Sequence, residues 1–343
     1  ILVIVFSLSL NAQTKSIRVL AVGNSFSIDG MRYLWDVLND AGYTEIYLGN
    51  LYIGGCALQT HAKNVRNNLG AYTYYTNTNG TWNEKSGYTM KNALTSQQWD
   101  VVTLQQASGY SGIEGSYQPY LNEIIDSVKS FCPDAKLMWH ETWAYEQSSN
   151  HEDFPKYGKN QMTMFNDILE AVKIQILSND NFIGVIPCGT TIQNLRTSYL
   201  GDRLTRDGYH LNYKTGCYAA SLTWAKAITD CSLEHINFNP SAFTYTEQDI
   251  ANIKEAVNNA VTYPTQITKS SYLTDDSPTN KPDDTLMEIF ANAGYNIDDY
   301  IVLNLHMTPR SFWDSGAGCY AFCDENVSNK ALQAQFASTK MFQ

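Results

Sequence analysis

The chain has 343 residues, of which 43% are hydrophobic and 13% aromatic, ample for a large buried core and long for one domain. Its net charge of -11 argues against a phosphate-binding surface, because nucleic-acid affinity rests on clustered Lys and Arg; no nucleic-acid partner is expected.

The sequence opens without Met on ILVIVFSLSL, followed by Asn11, Ala12 and Gln13. This reads as the apolar part of a secretory signal, a remnant covering 1–12 whose charged leader is missing, with the cut after Ala12. The expected location is therefore secreted or periplasmic. A buried first strand is the other reading, disfavoured because residues 16–23 already supply a strand. The run is too short for a membrane span, and no other approaches the roughly 20 apolar residues required.

From Ser16 onward apolar runs alternate with amphipathic segments. IRVLAVG, EIYLGNLYI, WDVVTLQQ, KLMWHETW and FIGVIP read as five strands, with helices over 31–41, 120–131 and 162–177. Runs this apolar suit strands covered on both faces. The expected fold is a three-layer αβα sandwich around a parallel, flavodoxin-like five-stranded sheet. Active sites of such sheets lie beyond the strand carboxyl ends, and Ser25, Gly55, Gln105 and His140 each follow an apolar run.

Residues 72–88, rich in Tyr, Asn, Thr and Gly, read as an irregular surface loop with aromatics able to stack on a sugar. A last helix is expected over 246–261, closing a main domain of 16–272. The polar stretch 273–284 has the composition of a linker, and 285–343 reads as a C-terminal extension, a truncated second module. The seven cysteines form neither a dense disulfide framework nor a zinc pattern. Most are expected in the core, with Cys217–Cys231 or Cys319–Cys323 as candidate bridges.

Gly23-Asn24-Ser25-Phe26-Ser27 lies where a strand gives way to a helix, which would aim the Ser25 hydroxyl into the crevice and its N–H at a bound oxyanion. Alone, a Ser or Asn there equally suits a helix N-cap. Asp207-Gly208-Tyr209-His210 shifts the balance, because an Asp and a His three apart, in a loop before a helix starting near Tyr213 or Thr215, let the carboxylate orient the imidazole. Serine needs an adjacent base, and the base needs a group fixing its tautomer; Ser25, His210 and Asp207 fill these roles.

His140 and Glu141 follow the fourth predicted strand, and for His140 substrate contact and a buried structural role weigh evenly. His61 reads as a solvated or capping residue at a helix start, with substrate contact the lesser reading. None of these histidines shows the close spacing that metal sites favour, so neither metal nor cofactor is expected.

GNSFS near the start and DGYH near the domain's end, in the order Ser, Asp, His, resemble blocks I and V of the SGNH, or GDSL-like, hydrolases. Together with YIGGCALQTH, WDVVTLQQASG, HETWAY and TRDGYHLN, they make residues 17–261 similar to an SGNH-like family common in gut Bacteroidetes. The resemblance implies an oxyanion hole built from the Ser25 N–H, a glycine N–H at Gly55 (Gly54 as fallback) and an amide side chain. LQQAS stands where that superfamily carries GxND, so Gln105 takes the Asn position, with Gln106 next. Gln106, His140 and His61 are the candidates for substrate contact. The implied activity is that of a serine esterase removing small acyl groups, O-acetyl above all, from carbohydrates, its partner a small ester or acylated glycan. A lipase or thioesterase is one alternative; a non-catalytic glycan-binding protein on the same fold is the other.

Overall fold

The computed structural model describes residues 14–273, together with two short strands further on. Strand β1 (Ser16–Gly23) is buried along almost its whole length, as is β5 (Val101–Leu104), because both lie in the middle of a sheet whose two faces are covered. Between them come β2 (Glu45–Tyr52), β3 (Tyr72–Asn77) and β4 (Trp82–Tyr88); β6 (Lys136–His140) and β7 (Phe182–Ile186) follow. The order across the sheet is β4-β3-β2-β1-β5-β6-β7.

The five strands read from the sequence are β1, β2, β5, β6 and β7, and each is parallel to its neighbour among them. Their order, second-first-third-fourth-fifth, is that of flavodoxin-like sheets. The sheet nevertheless has seven strands, not five. The stretch expected as an irregular loop at 72–88 is a hairpin, β3 and β4, added antiparallel to β2. Asn77 Oδ1 accepts from the Gly80 N–H at 2.8 Å, and Gly80 turns the chain at φ +87°. Alternating Tyr and Thr before an Asn-Gly turn was the signal for it. As the edge strand, β4 is largely exposed and carries Glu84 and Lys85, charges that discourage pairing with another chain.

The helices are α1 (Ser25–Gly30), α2 (Leu34–Asp40), α3 (Leu58–Arg66), α4 (Met90–Leu94), α5 (Tyr120–Phe131), α6 (Gln161–Val172, continued by a π-turn at Lys173–Leu177), α7 (Cys188–Arg196), α8 (Gly216–Thr229) and α9 (Glu247–Thr262). The crossover from β1 to β2 runs opposite to those from β2 to β5, β5 to β6 and β6 to β7. Right-handed connections therefore put α1 and α2 on one face and α3 to α6 on the other. Contacts agree: α3, α4 and α5 pack together, while α7, α8 and α9 join α1 and α2. The direction in which the chain steps across the sheet reverses at β1, so the carboxyl ends of β1 and β5 form the switch point at which ligands bind in such sheets.

The chain divides into two compact units, Ile1–Ser277 and Pro278–Gln343. In the second, β8 (Phe312–Asp314) and β9 (Cys319–Ala321) form an antiparallel pair. The signal remnant, residues 274–284 of the linker expected over 273–284, and Cys323 of the expected Cys319–Cys323 bridge fall outside the described residues. Cys56, Cys132, Cys188 and Cys217 are buried free thiols and Cys231 is free and half-buried, so the expected Cys217–Cys231 bridge is absent. Among the described residues no helix is long and apolar enough to cross a membrane.

Helix α9 begins with a capping box: Thr246 Oγ1 accepts from the Asp249 N–H at 3.0 Å, and Asp249 Oδ2 accepts from the Thr246 N–H at 2.9 Å. Because α9 covers α7 and α8, Thr246→Ala should cost the domain about 1 kcal/mol in urea denaturation. An unchanged midpoint would show that the cap is dispensable.

Candidate active site

Ser25 is the first helical residue after β1, and Asn24 supplies the cap. Asn24 Oδ1 accepts from the Phe26 N–H at 2.9 Å, leaving the Ser25 hydroxyl free of capping. Its Oγ lies 2.8 Å from His210 Nε2. His210 Nδ1 lies 2.6 Å from Asp207 Oδ2. Since a carboxylate only accepts, Nδ1 carries the proton and Nε2 turns its lone pair to the serine hydroxyl. The structure thus brings Ser25, His210 and Asp207 into one hydrogen-bonded line across a sequence gap of 185 residues.

The loop holding the last two is a closed turn. Asp207 Oδ1 accepts from the N–H groups of Tyr209 and His210, at 3.2 and 2.7 Å, while Gly208 adopts φ +93°. A Cβ at Gly208 would lie 3.1 Å from Ser149 Oγ, so glycine serves both the conformation and the close approach. The Gly208 carbonyl accepts from the Glu146 N–H at 2.8 Å, and the Tyr209 carbonyl accepts from Trp143 Nε1 at 2.7 Å. Trp143 is fully buried and stacks on Phe26 with centroids 4.4 Å apart, so the residue after the serine and the turn bearing the histidine share one aromatic support. Trp143 stood in HETWAY but carried no sequence signal of this role.

Gly55 lies in the turn after β2 at φ +61°, exposed, with nothing within 4 Å of where a Cβ would stand. This turn is tied to the turn that carries Ser25: Asn24 Nδ2 donates to the Cys56 carbonyl at 3.2 Å, and the Ile53 N–H to the Gly23 carbonyl at 3.4 Å. Gly54 is exposed beside it.

Gln105 is where the sequence placed it, just past β5, but its amide is engaged. Nε2 donates to Asn24 Oδ1 at 2.9 Å, and Oε1 lies 3.0 Å from His140 Nδ1. It braces Asn24, the residue before Ser25, with one of its two Nε2 hydrogens. Gln106 is buried too: Oε1 accepts from the Leu58 N–H at 2.9 Å, capping α3, and Nε2 donates to Ser116 Oγ at 3.0 Å. It is a strut, not a substrate contact.

His140 and His61 are both 0% exposed, which removes them from substrate contact. Burial lowers each to a pKa of about 3, so both are neutral. His140 packs edge-on to Trp224 at 4.9 Å; His61, expected to be solvated, stacks on Tyr72 with Nδ1 3.0 Å from the phenol. Burial likewise pushes the Glu141 carboxyl up to about 8, despite the Thr190 N–H donating to it at 2.7 Å. Among the described residues no group of three or more His, Cys, Asp or Glu is placed to hold a metal ion.

Residues 18–260 match the family described as "Domain of unknown function (DUF4886)". The chain belongs to this family. A DUF4886 protein of Bacteroides uniformis, solved by crystallography, is 38% identical, with a TM-score of 0.71 over 74% of this chain and 98% of its own. The expectation of a family found in Bacteroidetes agrees with this relative. More distant are a Slackia heliotrinireducens protein proposed to be an SGNH hydrolase (19% identity, TM-score 0.43, 62% of this chain and 98% of that one) and a Talaromyces cellulolyticus carbohydrate esterase of family 3 (12%, 0.39, 63% and 100%). No curated protein matches.

Burial opposes the charged form of Asp207, but the His210 imidazole and N–H and the Tyr209 N–H outweigh it and hold the carboxyl below its ordinary range. Its contribution to stability is thus fully present above the ordinary carboxylate pKa of about 3.9 and is lost as pH falls through the lower folded value. A carbon-13 titration should give an Asp207 midpoint below about 3.9. A midpoint at or above that value would mean the pair is not formed in solution.

Proposed function

We propose that the chain is a serine esterase whose nucleophile is Ser25, and that it removes small acyl groups, O-acetyl above all, from carbohydrates. The observation that carries this is the continuous pair of hydrogen bonds from Ser25 Oγ to His210 Nε2, 2.8 Å, and from His210 Nδ1 to Asp207 Oδ2, 2.6 Å. As Ser25 Oγ attacks the ester carbon, its proton passes to His210 Nε2, and Asp207 steadies the imidazolium. The oxyanion is held by the Ser25 N–H, which has no intrahelical acceptor in the first turn of α1, and by the Gly55 N–H. Collapse breaks the ester bond, and His210 returns the proton to the leaving alcohol. Water, deprotonated by the same imidazole, then releases the acid and restores Ser25.

Two features support a small acyl group on a sugar. Phe26 and Trp143 fill the space behind the serine, and the half-buried Tyr209 ring lies 4.3 Å from His210, offering an aromatic face beside the reacting atoms. The leader-like first residues fit work outside the cytoplasm, where such glycans are met. The engagement of Gln105 by Asn24 favours one second reading, a glycan-binding protein with weak or no turnover.

Hydrolysis of p-nitrophenyl acetate and acetylated xylan separates the two. Ser25→Ala and His210→Ala should each lower kcat by ~10⁴-fold or more while leaving the fold intact. Equal background release by the wild type and both folded variants would leave the binding reading.

A further inference from the structure

The loop carrying Asp207 and His210 is fastened to the nucleophile's own helix by a charge pair, buried on its Asp29 side, that the acyl-transfer chemistry does not use. Asp29 lies one turn along α1 from Ser25 and is 1% exposed. Both its oxygens lie 3.0 Å from Arg206 Nη1, and Oδ2 also accepts from the Leu211 N–H at 2.9 Å. These partners bracket Asp207 and His210 in sequence. They are joined to each other as well: the Arg206 N–H donates to the His210 carbonyl at 2.9 Å, Arg206 Nη1 donates to the Leu211 carbonyl, and Thr205 pairs with Leu211 in an antiparallel bridge. The outer face of the Arg206 guanidinium rests on Tyr213, 4.7 Å from the ring centre.

We infer that Asp29 is a positioning residue that sets the Ser25–His210 distance, by gripping both ends of the turn that carries the histidine from the helix that carries the serine. The inference rests on the acyl-transfer reading. A stabilising purpose explains the pair poorly. Burial raises the Asp29 carboxyl above its ordinary range even with Arg206 beside it, and buried ion pairs seldom out-stabilise apolar packing. What the pair supplies is direction. One guanidinium nitrogen shared by both carboxylate oxygens, and a backbone N–H on Oδ2, all received by one side chain, fix both the separation and the orientation of the two segments.

The test is Asp29→Asn, a near-isosteric change, alongside Asp29→Asn/Arg206→Gln, which leaves no guanidinium without its carboxylate should the single variant fold poorly. Crystal structures of the variants should show the Ser25–His210 pair opened past about 3.2 Å. With p-nitrophenyl acetate, kcat should fall about 10²-fold at a roughly constant KM, the signature of misplaced reacting groups and not of lost binding. Folded variants that keep the pair at 2.8 Å with unchanged kcat would overturn the role of Asp29. A wild type without esterase activity would instead defeat the hydrolase reading, and the crystallographic separation would then decide the positioning role by itself.

Discussion

The Asn24 carboxamide ties together the ends of three parallel strands, and the geometry around Ser25 depends on it. Its oxygen caps α1 and receives Gln105 from the end of β5; its nitrogen reaches the turn after β2. Each such hydrogen bond is worth only about 1 kcal/mol net. Asn24 is 1% exposed, however, so losing a partner would strand a polar atom in the core, and the network holds together or fails together. His140 extends it inward, since its protonated Nδ1 faces Gln105 and fixes which end of that amide meets Asn24.

Two kinds of histidine result from one residue type in two surroundings. His140 and His61 are dry, ringed by aromatics and held neutral, and they act as shaped hydrogen-bonding wedges. His210 keeps some contact with solvent and has a carboxylate on one nitrogen and a hydroxyl on the other. Sequence gives the residue but not the dielectric around it, and for that reason the solvated reading of His61 fails and the even choice at His140 falls to its buried, structural side.

The parallel strands were legible because strands buried on both faces leave unbroken apolar runs, as in IRVLAVG and VVTL. Helix α5 was legible to the residue, with Leu121, Ile124, Ile125 and Val128 marking its buried side. The β3–β4 hairpin was not, because an edge hairpin is half solvated and its Asn, Thr and Gly content mimics a loop. Ser25, Asp207 and His210 could be named from motif spacing alone. Their supports could not: Trp143, Asp29 and Gln105 act through contacts between segments distant in sequence, and neither periodicity nor composition encodes those.

The buried thiols carry a consequence of a different sort. Burial pushes Cys56 up to about 12 and lifts Cys188 and Cys217 well above the usual thiol range, so almost none of their sulfur is thiolate at neutral pH. Oxidants and alkylating agents act on the thiolate, which shields these sites from mispaired disulfides in an oxidising compartment for as long as the domain stays closed. The rate at which they label would therefore serve as a built-in clock for the opening of the core.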